Sequence, residues 1–202
     1  MKFFLSTLIL LININLWAQD GSLTDEEKSE ISEHLEQSWQ HLENAVANLT
    51  QEQWHYKPVD SVWSIAEISE HLAKSEKALF ELVSDQLIKS EPEPKKVSES
   101  GKTQKVMDAI TSRDHKVKTR PELEPSGSFK SPAEFLKGFD GLRNTSISFA
   151  NSTEDELRHY FIPFGPLGEL DGYQILMFMS GHVERHIQQI EEVMNDPNYP
   201  SI

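Results

Sequence analysis

Four segments of this chain carry apolar residues at steps of three and four, the spacing that places them on one face of an α-helix. Each segment opens with a residue type that caps helices: Thr24, Ser64, Ser131 and Asp171. In each case a Glu or Gln follows three residues later, which completes the sequence signature of a capping box. No stretch of useful length alternates apolar and polar residues as a strand does. The pattern therefore predicts an all-α protein built on four helices.

The connections between these segments indicate how the helices are wound. A short aromatic stretch, residues 54–58, joins the first two helices, and a short link makes antiparallel neighbours. A long polar crossover, residues 90–130, separates the second and third helices and permits parallel neighbours. Within it we expect a short helix over residues 104–112, with the remainder at the surface. The apolar, turn-rich connection over residues 161–168 is expected to fold over one end of the bundle.

The N-terminus is typical of a secretory signal peptide. Lys2 precedes an apolar run over residues 3–17, which ends at Ala18 before a polar stretch that begins at Asp20. We expect residues 1–18 to be removed and the protein to be secreted or periplasmic. The run is short for a membrane span and is interrupted by Asn, so no stable membrane insertion is expected after cleavage. The alternative is a retained N-terminal anchor, whereas a lipid-anchored lipoprotein is excluded because the chain has no Cys.

The rest of the chain, residues 22–196, is predicted to form one domain, and its charge limits its partners. The whole sequence carries a net charge of −14. Nucleic acids and anionic membranes bind cationic surfaces, so neither is an expected partner. The absence of Cys excludes disulfides and a thiol nucleophile. A small-molecule substrate of unknown identity is the partner that remains.

The most specific chemical signal is a pair of histidines four residues apart, His182 and His186, in the fourth helix. This spacing puts both imidazoles on one helix face, one turn apart, where they can bind a single divalent metal. Ile175 and Met179 share that face, so both histidines point into the core. A lone histidine there is more commonly a hydrogen-bonded core residue. His71 lies in the apolar stripe of the second helix, and three inward imidazoles favour a metal site because burying them unpartnered is costly.

Three known metal motifs do not fit these histidines. The metalloprotease motif needs Glu directly after the first His, where this chain has Val183, and the inverted motif needs Glu where it has Arg185. Glu184 lies ~200° around the helix from His182 and is expected to face away. A ferritin-like di-metal site needs Glu and His three residues apart on two helices. We therefore infer no protease chemistry.

Glu67 and Arg185 each have a functional and a structural interpretation. Glu67, one turn before His71, either orients that imidazole or reaches the metal, or it only completes the cap of its helix. Arg185 either binds a substrate carboxylate or phosphate, or it pairs with an acidic neighbour at the edge of the core. His34 and His41 are too far apart to share one metal. Three further histidines are expected at the surface: His55, His115 and His159.

The segments that carry these residues resemble the DinB-like superfamily of four-helix bundle proteins, which includes bacillithiol- and mycothiol-linked transferases. The resemblance rests on the runs from Trp63 to Leu72 and from His182 to Ile190. Pro163-Phe164-Gly165, ahead of the helix start at Asp171, adds to it. It implies an all-α, up-down-down-up four-helix bundle with a long crossover between helices 2 and 3.

The resemblance also implies a metal site. A divalent metal, nickel or zinc, would be held by His71, His182 and His186, with water completing the coordination to give a Lewis-acid or hydroxide-generating centre. Members of the superfamily often dimerise, so a homodimer is expected.

Two functional hypotheses follow. The first is an exported metal-dependent hydrolase or transferase that acts on a small molecule. The alternative is a non-catalytic exported module, metal-binding or stress-related, whose metal is structural. The thiols used by the family transferases are mainly cytosolic, whereas this chain carries an export signal, so thiol transfer is not assigned. The sequence leaves open whether the protein is an enzyme.

Overall fold

The computed structural model describes residues 21–114 and 117–201. The predicted signal peptide, residues 1–18, and His115, which was predicted at the surface, lie outside the described residues. In the described part, the helices are α1 (Asp25–Val46), α2 (Gln51–His55), α3 (Ile65–Glu81), α4 (Lys102–Thr111), α5 (Pro132–Ser152) and α6 (Gly172–Met194). One antiparallel hairpin joins β1 (Phe161–Pro163) and β2 (Glu169–Asp171). None of these described helices combines the length and apolarity needed to cross a bilayer.

The four long helices begin where their caps predict. Reciprocal capping boxes start α1, α3 and α6, because in each the capping side chain and the third helical residue bond each other's main-chain N–H. The cap of α5 is only half of a box: Ser131 accepts from the Glu134 N–H, but the Glu134 carboxylate accepts from Lys130 N instead. The short α2, which the sequence analysis did not predict, has its own capping box from Thr50 and Gln53.

Helices α1, α3, α5 and α6 form the bundle. Both α1 and α3 pack against α5 and α6, so α1 and α3 lie across the bundle from each other. The short link between them was predicted to make them neighbours, and this prediction is wrong. The reason lies in α2, which buries Trp54 in the core with its ring centroid 6.0 Å from that of Phe135 on α5. The link therefore crosses the end of the bundle diagonally.

Side-chain pairs give the helix directions. The pairs are Glu30–Tyr173 and His41–Glu184 between α1 and α6, Glu76–Ser146 and Phe80–Phe149 between α3 and α5, and Ser32–Asn151 and Trp39–Phe139 between α1 and α5. From one pair to the next, the residue numbers of both helices increase for α1 with α6 and for α3 with α5. For α1 with α5, the number on one helix increases while that on the other decreases. Helix α1 is therefore parallel to α6, α3 is parallel to α5, and α1 is antiparallel to α5. These directions are those of an up-down-down-up winding.

The crossover packs on the bundle more closely than a surface linker. The predicted short helix is present as α4, and its buried Val106 belongs to the same core cluster as the first half of α6. Gly181 makes the contact close, because a Cβ there would stand 2.6 Å from Ile110 Cγ2. Helix α4 is therefore part of the core packing, while most of the other described residues of the crossover are exposed, as predicted.

The apolar connection before α6 forms a hairpin. Its strands pair in register from Phe161 with Asp171 to Pro163 with Glu169. Ile162, Phe164 and Leu167 pack on the core, with Phe164 stacked edge-on to Phe178 of α6 at 4.9 Å between centroids. The segment therefore covers the end of the bundle where α6 begins, as predicted, although three-residue strands were too short to be recognised by alternation.

A buried ion pair joins α3 to α5. Arg143 Nη2 lies 3.1 Å from Glu76 Oε2, and the Ser146 hydroxyl donates to Glu76 Oε1 at 2.9 Å. Burial raises the pKa of Glu76 and lowers that of Arg143, while the charge of each partner acts in the opposite direction. Removing one partner would leave an uncompensated charge in the core, which typically costs about 3–5 kcal/mol of stability.

Candidate metal centre

Three imidazoles from two helices meet inside the bundle. His71 comes from α3, and His182 and His186 come from α6. The ring centroids are 5.3 Å apart for His71–His182, 4.8 Å for His71–His186 and 4.6 Å for His182–His186. One nitrogen from each ring lies within 4.8 Å of the others. The structure thus brings together the three histidines that the sequence analysis singled out.

Hydrogen bonds orient two of the three rings. The Nδ1 atom of His71 lies 3.0 Å from the Leu123 carbonyl oxygen, which can only accept, so Nδ1 carries the proton. The Nδ1 atom of His186 is held in the same way by Gln189 Oε1 at 2.8 Å. Both rings therefore keep an Nε2 lone pair for a metal, the usual arrangement of metal-binding histidines. His71 Nε2 also faces the Ser75 hydroxyl at 3.4 Å.

The surroundings keep the three imidazoles neutral. Burial lowers the pKa of His71, lowers that of His186 to about 3 and lowers that of His182 well below its usual value. The neighbouring imidazoles lower the pKa of His182 and His186 further. The cations that add to this effect are Lys74 for His71, Arg185 and Arg143 for His182, and Arg113 and Arg185 for His186. Neutral imidazole is the form that binds a metal.

Aromatic rings border the cluster on two sides. Trp63, on the loop before α3, has its centroid 5.2 Å from that of His71. Phe178 stacks on His182 at 5.8 Å, and the hairpin residue Phe164 packs on Phe178. His182 retains partial solvent exposure, while His71 and His186 are buried. The cluster is therefore largely dry but reaches solvent at one of its three members.

No carboxylate joins the cluster within residues 21–114 and 117–201. Glu67 accepts from the main-chain N–H of Ser64 at 2.7 Å and from Lys57 Nζ at 3.0 Å. Of its two predicted roles the structure shows the cap, because the partner of the His71 ring is Leu123 and not Glu67. Glu184 faces away as expected, with Oε1 2.9 Å from His41 Nδ1.

Comparison with known proteins identifies the family. A sequence profile of the DinB superfamily matches residues 34–190, which include all three histidines. The chain belongs to the DinB superfamily. One relative is the uncharacterized protein YuaE of Bacillus subtilis, 28% identical over 154 residues that cover 74% of this chain and 88% of YuaE.

A solved structure supports the fold of this DinB superfamily member. YfiT from Bacillus subtilis, described as a probable metal-dependent hydrolase with an unusual four-helix bundle topology, superposes with a TM-score of 0.54. The match covers 89% of this chain and 92% of YfiT at 16% identity. At this identity the likeness establishes the four-helix bundle and carries no residue roles.

Arg185 of this DinB superfamily member binds the crossover at the C-terminal end of α4. Its Nη1 donates to the carbonyl of Ser112 and lies 3.5 Å from that of Ile110. Gln188, one turn along α6, donates to the Thr111 carbonyl at 3.1 Å. These carbonyls are the ones left without helical partners at the C-terminal end of α4. Arg185 therefore bonds main-chain oxygens at the end of α4, and it also interacts electrostatically with the acidic side chain of Glu192.

The remaining histidines stand apart from the cluster. His41 and His55 are exposed, and His34 is half-buried on α1. His159 was predicted at the surface and is buried, with Nδ1 3.2 Å from Glu156 Oε2. Its ring fills the space beside Gly21, where a Cβ would meet the imidazole at 2.3 Å. A polar residue in a loop is ordinarily expected in solvent, but here Gly21 covers the ring.

Two residues that support the cluster were missed in the sequence. Gln189 follows His186 by three residues, so helical spacing offered a signal for it. Leu123 acts through its main-chain oxygen, for which no residue type gives a signal.

Proposed function

We propose that this protein is an exported metal-dependent hydrolase or transferase that acts on a small molecule. The observation that carries the proposal is the convergence of three neutral imidazoles, with one nitrogen of each within 4.8 Å of the others and no carboxylate among them in the described residues. Three protein ligands with an open fourth position are the arrangement of catalytic zinc centres, whereas structural sites use four. The description of the structural neighbour YfiT as a probable metal-dependent hydrolase supports the same class of chemistry.

The donor set suits nickel or zinc. Imidazole nitrogen is a good ligand for both metals, and the chain has no Cys that would favour a thiolate site. His71, His182 and His186 would hold the metal, which supplies Lewis-acid chemistry and lowers the pKa of a coordinated water. The neutral state and the fixed Nδ1 protons of His71 and His186 are the features of this chain that fit such an ion.

The chain's own residues then do two things. Leu123 and Gln189 fix two rings so that their Nε2 atoms face the cluster. Trp63 and Phe178 keep water from the flanks of the site, which strengthens electrostatic interactions inside it. Val183 and Arg185 stand where the two metalloprotease motifs need Glu, so we propose small-molecule substrates.

The proposal includes export and self-association. The signal-peptide pattern of residues 1–18 supports a secreted or periplasmic location. The net charge of −14 argues against nucleic acid as a partner. A homodimer is proposed from the resemblance to the superfamily.

The site is tested by metal content. Protein stripped by a chelator and titrated with Zn²⁺ or Ni²⁺ is expected to bind one ion per chain. His182→Ala and His186→Ala should each weaken binding by more than the roughly 100-fold that marks the upper range for losing an outer partner. His41→Ala, a matched change of an exposed histidine outside the cluster, should leave affinity unchanged. Retention of stoichiometric metal by both cluster variants would overturn the site.

Catalysis is tested separately. The metal-loaded protein is expected to turn over members of a panel of small esters, amides and electrophilic acceptors, and the stripped protein and His182→Ala are expected not to. Unfolding on chelation, without turnover of any panel member by the loaded protein, would favour the non-catalytic module with a structural metal.

A further inference from the structure

Glu70, beside His71 on α3, is a buried carboxylate that the proposed function does not use. Its side chain is 3% exposed. Three consecutive main-chain N–H groups of the crossover donate to it, from Ser126 at 2.9 Å, Gly127 at 2.7 Å and Ser128 at 3.0 Å. The hydroxyls of both serines donate to it as well, at 2.7 and 2.8 Å. A charge this deeply buried is tolerated only with such full hydrogen bonding.

The loop is shaped around this carboxylate. Gly127 has φ +81°, and a Cβ there would meet nothing within 4 Å, so the backbone conformation and not crowding calls for glycine. The turn points its N–H groups inward like an anion-binding nest. Burial alone would raise the pKa of Glu70, but the bonds from Ser126, Ser128 and Lys74 lower it below its usual range.

The same stretch of crossover holds a proposed metal ligand. Leu123, three residues before Ser126, supplies the carbonyl that accepts from His71 Nδ1. Between these points Lys74 Nζ donates to the Glu124 carbonyl at 2.6 Å and pairs with Glu70 at 3.0 Å. One turn of α3 therefore grips the crossover at three successive places, and only one of them touches the imidazole.

We propose that Glu70 is a positioning residue of the metal centre. By clamping residues 126–128 it keeps the Leu123 carbonyl on His71 Nδ1, and this carbonyl keeps the proton on Nδ1 and Nε2 turned toward His182 and His186. The inference rests on the proposed metal site. In this proposal the crossover supplies no metal ligand, but its main-chain groups hold the His71 ring in place.

Glutamine cannot replace glutamate here. Oε1 accepts from Ser126 N and from both hydroxyls, and Oε2 accepts from the N–H groups of Gly127 and Ser128. Whichever oxygen becomes an amide nitrogen, its hydrogens face main-chain donors. Glu70→Gln is therefore expected to release the loop at nearly unchanged side-chain volume.

The test compares Glu70→Gln with Glu67→Gln in the full chain. Glu67 lies one turn earlier on α3 and bonds Ser64 and Lys57. In Glu70→Gln the Kd for Zn²⁺ should rise by up to about 100-fold, because losing an outer partner of a metal ligand typically weakens metal binding by about 10–100-fold. In Glu67→Gln the Kd should rise by less than about twofold. Ser126→Ala/Ser128→Ala, which keeps the main-chain donors, should raise Kd roughly 10-fold and serves if Glu70→Gln fails to fold.

The ¹⁵N shifts of the His71 ring in metal-free protein give a readout that loss of stability would not mimic. The unmodified chain should show a single Nδ1–H tautomer, and Glu70→Gln a mixture in a folded protein. If the unmodified chain binds no metal, the proposed function fails, and the tautomer still decides whether Glu70 positions the ring. If the unmodified chain binds metal and Glu70→Gln keeps both its Kd and its tautomer, the inference is overturned while the metal site stands.

Discussion

Helix α6 and the crossover, residues 90–130, serve the same histidine cluster by different means. Helix α6 contributes side chains, with His182 and His186 in the cluster and Gln189 behind the second ring. The crossover contributes main-chain groups, with one carbonyl on His71 and three N–H groups on Glu70. A segment can thus be polar, long and without ligands of its own and still determine the geometry of a site.

The two segments are also fastened to each other. Arg185 and Gln188 of α6 donate to the last carbonyls of α4, and Gly181 allows the two helices to approach. Arg113, just after α4, makes a two-pronged bond to Glu192. Helix α6 is thus both a source of ligands and the surface on which the crossover is mounted.

The largest effect expected in this comparison comes from the support within α6. Gln189→Ala removes the acceptor of the His186 Nδ1 proton and should raise the Kd for Zn²⁺ by 10–100-fold, about as much as Glu70→Gln. Gln188→Ala, its neighbour that faces α4, is the control and should leave Kd within about twofold. An unchanged Kd in Gln189→Ala would mean that support by a side chain matters less than support by the main chain.

A smaller effect is expected where the two segments touch. Gly181→Ala gains about 1 kcal/mol of helix propensity but forces a Cβ against Ile110, and overpacking costs about 1–3 kcal/mol. Urea unfolding should show a net loss of up to about 2 kcal/mol. In an Ile110→Ala background the same change should stabilise by up to about 1 kcal/mol. A stabilising Gly181→Ala in the unmodified chain would contradict the close packing of α4 on α6.

The smallest effect is expected at the rim. Arg113→Gln breaks the bond to Glu192, whose side chain is largely exposed, and should cost less than about 1 kcal/mol because solvent screens the pair. A double-mutant cycle with Glu192→Gln measures this coupling, which should fall further in high salt. A coupling above about 2 kcal/mol would show that the crossover is held mainly by its charges and not by α4 packing.

Features that depend on local spacing could be predicted from the sequence, whereas contacts made by the distant crossover could not. The caps at Thr24, Ser64 and Asp171 and the stripe shared by His182 and His186 depend on local spacing, and all appear in the structure. Glu67 is a candidate partner of His71 in the sequence because it lies one turn before that histidine, whereas local spacing gives no signal for Glu70. The partner of Glu70 is a loop 56 residues away, and no local pattern reports it.

The fold shows the same division. Four helices followed from periodicity, whereas the diagonal placement of α1 and α3 depends on where Trp54 is buried, which the length of the link does not reveal. The hairpin was not predicted because each of its strands has only three residues, too few to show alternation. The burial of His159 was not predicted because Gly21, which packs against its ring, is distant in sequence.

The most direct test of the metal centre is anomalous diffraction from crystals of the Zn²⁺- or Ni²⁺-loaded protein, recorded on both sides of the metal absorption edge. One peak per chain should lie between the imidazole rings of His71, His182 and His186, with Leu123 and Gln189 still bonded to the Nδ1 atoms of His71 and His186. Loaded crystals with no peak at this position, or with the metal held by other residues, would contradict the assignment of these histidines as its ligands.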